Sequence, residues 1–229
     1  MAATAIIPVK RLGSAKQRLA AGLSGEQRRR LMAAMFRDTA DAVRESRQLD
    51  RVIVVSGDSE IDKLARAAGF QLLTDPPDAG HSGAALLAIE HLAATATADR
   101  TTGAGRHAAG GGAAETVILL PSDCPLLDPR QIDHLLTGLP ERFVTIVPDR
   151  HGYGTNALVL RPPDAIAPSF GEGSRARHEE AARAAGVPYA IEQLSSLGLD
   201  LDTPADLVAL ARELPGQRRG RHTAKVLRL

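Results

Sequence analysis

The chain of 229 residues has no tryptophan, two tyrosines, four phenylalanines and one cysteine. So few aromatics exclude a ligand site built mainly on stacking, and a lone Cys124 excludes an internal disulfide. A single cysteine also suits a reducing cytoplasm, the compartment expected here. Cys124 stands between Asp123 and Pro125 with no evident base partner, so a nucleophilic role is not expected of it. Long apolar runs are missing, and Met1-Ala2-Ala3-Thr4 leads straight into strand-like sequence, so neither a membrane span nor a signal peptide is expected. Charge of either sign is also missing in excess: 28 Lys and Arg face 27 Asp and Glu, which leaves no general nucleic-acid footprint. No G-x-G-x-x-G follows the first strand and no G-x-x-x-x-G-K-[ST] occurs, so the two commonest nucleotide cradles are excluded. The histidines have no paired spacing for zinc.

What is present is an alternation of short β-branched runs with amphipathic segments. Ile6 to Val9, Arg51 to Ser56, Phe70 to Thr74, Thr116 to Leu120, Phe143 to Pro148, Asn156 to Leu160 and Val187 to Glu192 read as strands. Helices are expected from Ser24, which forms a capping box with Gln27, from Ser59, from Gly83, from Asp128-Pro129, from Ser174 as N-cap, and over Thr203–Leu214. The pattern predicts an α/β fold: one domain over 1–215 with a mostly parallel sheet and helices on both faces. Residues 95–114, with Gly110-Gly111-Gly112 and no apolar periodicity, read as a disordered insertion, and 216–229 as a loose, solvated basic tail.

Three loops carry the candidate chemistry. The first strand opens at Pro8 into Lys10, Arg11, Lys16 and Arg18, a cationic loop at the sheet edge where open α/β sheets bind ligands; phosphates are what it would attract. Asp123, held between Pro121 and Pro125 at a strand end, suits an oxygen ligand for Mg²⁺, although a turn aspartate capping local backbone would look the same. Asp200 and Asp202 form a second acidic site, for which helix capping at Pro204 is the rival reading. Phe170-Gly171-Glu172-Gly173-Ser174, running into a helix, offers free N–H groups and a hydroxyl to a small phosphate or carboxylate, and Thr155 and Asn156 are paired with it as pocket residues. Two acidic loops and one basic loop converging on one crevice is what a metal-bridged triphosphate requires.

In this order the motifs resemble the guanylyltransferases of coenzyme F420 biosynthesis. The matching pieces are Ile7-Pro8-Val9-Lys10 with Ala15-Lys16 and Arg18-Leu19, Ser122-Asp123-Cys124-Pro125-Leu126-Leu127, Gly154-Thr155-Asn156-Ala157-Leu158, Phe170-Gly171-Glu172-Gly173-Ser174 with Ala176-Arg177-His178, and Asp200-Leu201-Asp202-Thr203-Pro204. The resemblance implies a glycosyltransferase-A-like nucleotidyltransferase fold. It also implies transfer of GMP from GTP to a phosphorylated three-carbon acid, phosphoenolpyruvate favoured over 2-phospho-L-lactate, with release of pyrophosphate. On that resemblance Lys16 and Asp123 are the catalytic residues, and Thr155, Gly171 and Ser174 bind the acid. Lys10, Lys16, Arg18 and Ser82 bind the nucleotide, and Asp123 and Asp202 hold Mg²⁺, with Asp200 second to them. GTP, the acid and a downstream transferase of the same pathway are the expected partners. Two departures stand out: Gly80-His81-Ser82-Gly83-Ala84 replaces the family's Gly-Leu-Asn-Ala-Ala in the base-contacting loop, and the 95–114 insertion is unusual. Another nucleotidyltransferase on the same fold, a nucleotide-sensing module without activity, and a nucleic-acid binder acting through the tail are the competing readings.

Overall fold

A computed structural model describes residues 3–13, 16–76, 79–102 and 115–228. In chain order these form β1 (Ala3–Val9), α1 (Gly25–Glu45), β2 (Arg51–Ser56), α2 (Ser59–Ala67), β3 (Gln71–Thr74), α3 (Gly80–Thr102), β4 (Thr116–Leu119), α4 (Pro129–Leu136), β5 (Phe143–Pro148), β6 (Thr155–Arg161), α5 (Ser174–Ala184), β7 (Tyr189–Ile191), α6 (Ser195–Gly198), α7 (Pro204–Glu213) and α8 (Arg221–Leu227). The strands build one sheet in the order β3-β2-β1-β4-β6-β5-β7. β1 pairs in parallel with β2 and β4, β2 with β3, and β5 with β7, whereas β6 runs antiparallel to both its neighbours.

Every residue of β1 is buried, as a strand covered on both faces requires. Its alternate side chains serve two cores. Ala5, Ile7 and Val9 pack with Leu31, Met35 and Phe36 of α1, while Ile6 faces Ala84, Ala88 and Leu92 of α3 on the other side. Two expected caps are present: Ser24 and Gln27 form a reciprocal capping box, and Asp128 caps α4 ahead of Pro129; of the two residues that could cap α7, it is Thr203 and not Asp202 that does so.

Three expectations are corrected. The helix expected to fade near Ala94 continues to Thr102, since the run Ala93-Ala94-Thr95-Ala96-Thr97-Ala98 needs no apolar stripe when alanine is the best helix former; residues 103–114 of the expected insertion lie outside the described residues. Gly173, left-handed at φ 69°, is the N-cap of α5, and Ser174 is its first helical residue, fully buried. The tail is not loose. Asp38 of α1 accepts the backbone N–H of His222 (3.0 Å) and of Thr223 (2.9 Å) and the Thr223 hydroxyl (2.7 Å), capping α8 from across the interface. Asp41 pairs with Arg221 and Glu45 with Arg219. Arg219, Arg221 and His222 are matched to one acidic face of α1, so the tail packs onto the domain.

Candidate active site

The parallel strands β1 and β4 end at one edge of the sheet. Because β6 runs the other way, it is the beginning of β6, Thr155 and Asn156, that reaches the same edge. A cavity of about 560 Å³ opens there. Lys10, Lys16 and Arg18 line it from the loop after β1, Ser122 and Asp123 from the loop after β4, and Asp200 and Asp202 from the loop before α7. Thr155, Asn156, Phe170 and Gly171 close the far wall. A second hollow of about 510 Å³ shares Arg18, Thr155, Asn156, Gly171, Asp200 and Asp202 and extends past Ser174 to Asp206. A third, about 330 Å³, shares Lys10 and His81 and continues along Arg11, Asp75 and Gly80.

Lys16 is central. It adopts the left-handed conformation (φ 54°), which is uncommon for a side chain other than glycine, Asn or Asp. Its ammonium donates to the Asp123 carboxylate and, at 2.6 Å, to Asp202. Burial works to lower the pKa of Lys16, but the charges of Asp123 and Asp202 and the bonds to them prevail, holding it above its ordinary value. Asp200 shows the reverse balance: burial and the Asp123 charge raise its carboxyl above the usual range, against the hydrogen bond from Asn156 Nδ2 (3.3 Å). Three carboxylates therefore crowd one side of the cavity, and the Lys16 ammonium is bonded directly to two of them.

Asn156 is pinned by a second bond, Nδ2 to the Leu197 carbonyl at 2.6 Å. Leu197 lies on α6, a short helix invisible in the sequence, and its carbonyl also receives the Cys124 thiol at 3.9 Å. Burial pushes that thiol well up, which fits the expectation that Cys124 is no nucleophile. Ahead of β6, the Asp149 carboxylate accepts the N–H groups of His151 (3.0 Å), Tyr153 (3.1 Å) and Gly154 (2.9 Å). A Cβ on Gly154 would sit 2.5 Å from Asp149 Oδ2, so any other residue there has to displace the Asp149 carboxylate from its three N–H partners. The loop before α5 is fastened by Arg177, whose guanidinium donates to the Ser169 hydroxyl (2.9 Å) and to the Ser169 (3.0 Å) and Phe170 (3.2 Å) carbonyls. Phe170 meets His81 and His178 edge-on, at 4.7 and 5.4 Å between centroids.

Nine of the ten candidate residues are brought together. Lys10, Lys16, Arg18, Asp123, Thr155, Gly171, Asp200 and Asp202 line the main cavity, and Ser174 the adjoining one, its buried Oγ without a protein partner. Ser82 is the exception. Its hydroxyl accepts the Phe170 N–H at 2.8 Å, so it supports the loop, and its neighbour His81 lines the cavity instead. Asp149 and α6 are the parts that residue patterns missed. The spacing Asp149…Gly152…Gly154 is the one signal that could have marked the turn.

The donor set can be tested against a divalent cation. Two carboxylates converge on a point where an ammonium sits, and hard carboxylate oxygens, one or two per ion with phosphates completing the shell, are what Mg²⁺ takes. No group of three or more metal-binding side chains is gathered round one point among the described residues. A shell completed by substrate does not need one, so Asp123 and Asp202 fit the ion.

A sheet of this order, with cationic and acidic loops at one edge, defines a nucleotidyltransferase fold. The structure is similar over 99% of its length to 94% of a chain described as a nucleotide-diphospho-sugar transferase from Desulfovibrio desulfuricans G20, with a TM-score of 0.69 at 18% identity, a likeness of fold. The family model described as "Guanylyl transferase CofC like" matches residues 3–90 and 103–228, and the chain belongs to that family. It is 43% identical over 96% of its length to a phosphoenolpyruvate guanylyltransferase of Conexibacter woesei, covering 92% of that protein. It is 39% identical over 94% of its length to one of Sphaerobacter thermophilus, covering 95%. A 2-phospho-L-lactate guanylyltransferase of Methanothermobacter thermautotrophicus is 32% identical over 90% of this chain and 83% of its own. The protein is thus an enzyme of the nucleotidyltransferase class, as the motif order implied.

Proposed function

We infer that this enzyme transfers the guanylyl group of GTP to phosphoenolpyruvate, releasing pyrophosphate, in coenzyme F420 biosynthesis. The observation that carries the reading is the site's division into one part with Lys16 between Asp123 and Asp202 and an adjoining part where the hydroxyls of Thr155 and Ser174 and the backbone at Gly171 lie beside Arg18. The first part suits a triphosphate and the second a small acid. Lys10, Lys16 and Arg18 neutralise the phosphates of GTP, and the hollow along Gly80 and His81 receives the base. Asp123 and Asp202 hold Mg²⁺, which when bound supplies charge neutralisation of the phosphates.

The acceptor's phosphate has a second pKa of about 6, by analogy with phosphate monoesters, and is mostly dianionic at neutral pH. One of its oxygens forms the new bond to the α-phosphorus as the α–β bridging P–O bond breaks, and both electrons leave with pyrophosphate. No proton has to be removed, and no general base is needed. His81 and His178 are both lowered to about 4, chiefly by burial, and remain neutral throughout. Catalysis then consists of alignment and charge neutralisation.

The test is pyrophosphate release by the purified protein with GTP and Mg²⁺, adding phosphoenolpyruvate, 2-phospho-L-lactate or 3-phosphoglycerate separately, with the product-consuming transferase and its deazaflavin substrate present. Release with phosphoenolpyruvate and GTP, and not with CTP or ATP, is the expected result. Release with a different acid alone would move the acceptor. Release only with CTP, or none with any acid, would overturn the reading.

A further inference from the structure

His178 is fully buried on the first turns of α5 and takes no part in the chemistry above, yet both its ring nitrogens are engaged. Nε2 accepts the Ser169 N–H at 2.8 Å. A backbone N–H can only donate, so Nε2 carries no proton. The neutral ring must then carry its proton on Nδ1, which lies 3.0 Å from Thr155 Oγ1. Thr155 therefore accepts from the ring, and its own hydroxyl hydrogen is left to point elsewhere.

We propose that His178 is a positioning residue: it fixes the polarity of the Thr155 hydroxyl as a donor toward the cavity and ties the two walls of the acceptor site together. This rests on the reading of Thr155 as a ligand of the anionic acid. A free threonine hydroxyl can accept or donate, and an anion needs only donors. With one of its two lone pairs turned to Nδ1–H, Thr155 has its hydrogen directed away from the ring and presents O–H to the cavity without the reorientation a free rotor would undergo on binding. The same ring holds the Ser169 N–H, next to Phe170 and Gly171, so one side chain sets the distance between the start of β6 and the loop before α5. Phe170 lies edge-on against the ring and keeps it from turning over. Burial and the Arg177 charge favour the neutral form that this arrangement needs.

The tautomer is read directly by ¹⁵N–¹H correlation spectra of the full chain labelled at histidine, at pH 7. The His178 signals are assigned by their loss in His178→Phe or, if that variant does not fold, His178→Gln. We expect protonated Nδ1 and bare Nε2. A protonated Nε2 overturns the proposal whatever the enzyme's activity. The second arm titrates phosphoenolpyruvate onto wild type, Thr155→Val, His178→Phe (or Gln) and the double variant, and GTP onto each. Removing a hydrogen bond to a charged ligand costs about 10- to 100-fold in affinity. We expect each single variant to lose that much for the acid with GTP affinity unchanged, and the double variant to lose less than the product of the two single losses, because part of the effect of His178 passes through Thr155. Losses that multiply, equal loss toward GTP, or unchanged affinity in the histidine variant would overturn it. If wild type binds no phosphorylated acid at all, it is the proposed function that fails, while the tautomer still reports on the ring.

Discussion

Lys16 and a divalent ion want the same place, so replacing Lys16 with methionine has opposite effects on metal binding and on turnover. The Lys16 side chain is 9% exposed, Asp123 18% and Asp202 53%. The mostly buried bond to Asp123 is charge-assisted and worth about 1.5–3 kcal/mol. The bond to Asp202 reaches a half-exposed carboxylate, and water screening holds its share under about 1 kcal/mol. An ion entering between the carboxylates has to displace both. Without the ammonium, Mg²⁺ binds the nucleotide-free protein more tightly by about 2–3 kcal/mol, a factor of about 30–150 in Kd. Turnover goes the other way, because Lys16 also faces the triphosphate: removing one preorganised charge at the reacting phosphates costs about 10²- to 10³-fold in kcat. Calorimetric titration of Mg²⁺ into wild type and Lys16→Met, with kcat from pyrophosphate release, reads both numbers. A Kd in the variant that is unchanged or weaker would refute the placement of the ion between Asp123 and Asp202.

Asp123→Asn should abolish detectable pyrophosphate release at saturating Mg²⁺ in a protein that still folds cooperatively, its thermal midpoint lowered by the loss of the bond to Lys16; undiminished turnover would remove Asp123 from the catalytic set. Asp38→Ala leaves three donors on His222 and Thr223 without their acceptor in a buried place, and should lower stability by about 2–4 kcal/mol in urea unfolding. Stability unchanged in that variant would mean the α8 contact contributes nothing. Gly154→Ala drives a methyl into the pinned Asp149 carboxylate, for a loss of about 1–3 kcal/mol and a weaker KM for the acid through Thr155. Wild-type Tm and KM would show the turn to be slack. For acid stability, His81 and His178 both fall from 6.5 to about 4 on folding, chiefly through burial, so the unfolded chain binds the extra protons. The stability they contribute is complete above pH 6.5 and is lost as pH falls toward 4, at no more than about 1.4 kcal/mol per pH unit for each. Urea unfolding at pH 6.5, 6.0, 5.5 and 5.0 should show the decline, and a flat profile in this window would contradict it.

Local chemistry was enough to place Lys10, Lys16, Asp123 and Thr155 in or beside strand ends and Gly171 and Asp202 in loops that lead into helices, because β-branched runs, proline stops and capping residues act over a few neighbours. The same local rules located the caps at Ser24 and Asp128 and left that of α7 between Asp202 and Thr203. They failed where an interaction spans the chain. The acidic stripe Asp38, Asp41 and Glu45 and the basic tail are each plain in the sequence, but their union depends on α1 and α8 lying side by side. Ser82 and His81 are adjacent in sequence and were not separable there; only the approach of Phe170 decides which of them supports the loop and which lines the cavity. The reversal of β6, which puts Thr155 opposite Asp123, belongs to the sheet order. So does the tautomer of His178, set by a backbone N–H nine residues away. The sequence by itself determined which residue types could bind phosphate and metal, since charge and hydroxyl chemistry belong to the side chain. Tertiary structure decided which of them share a cavity, which are already paired, and which way a hydroxyl proton points, because those depend on distances between segments far apart in the chain.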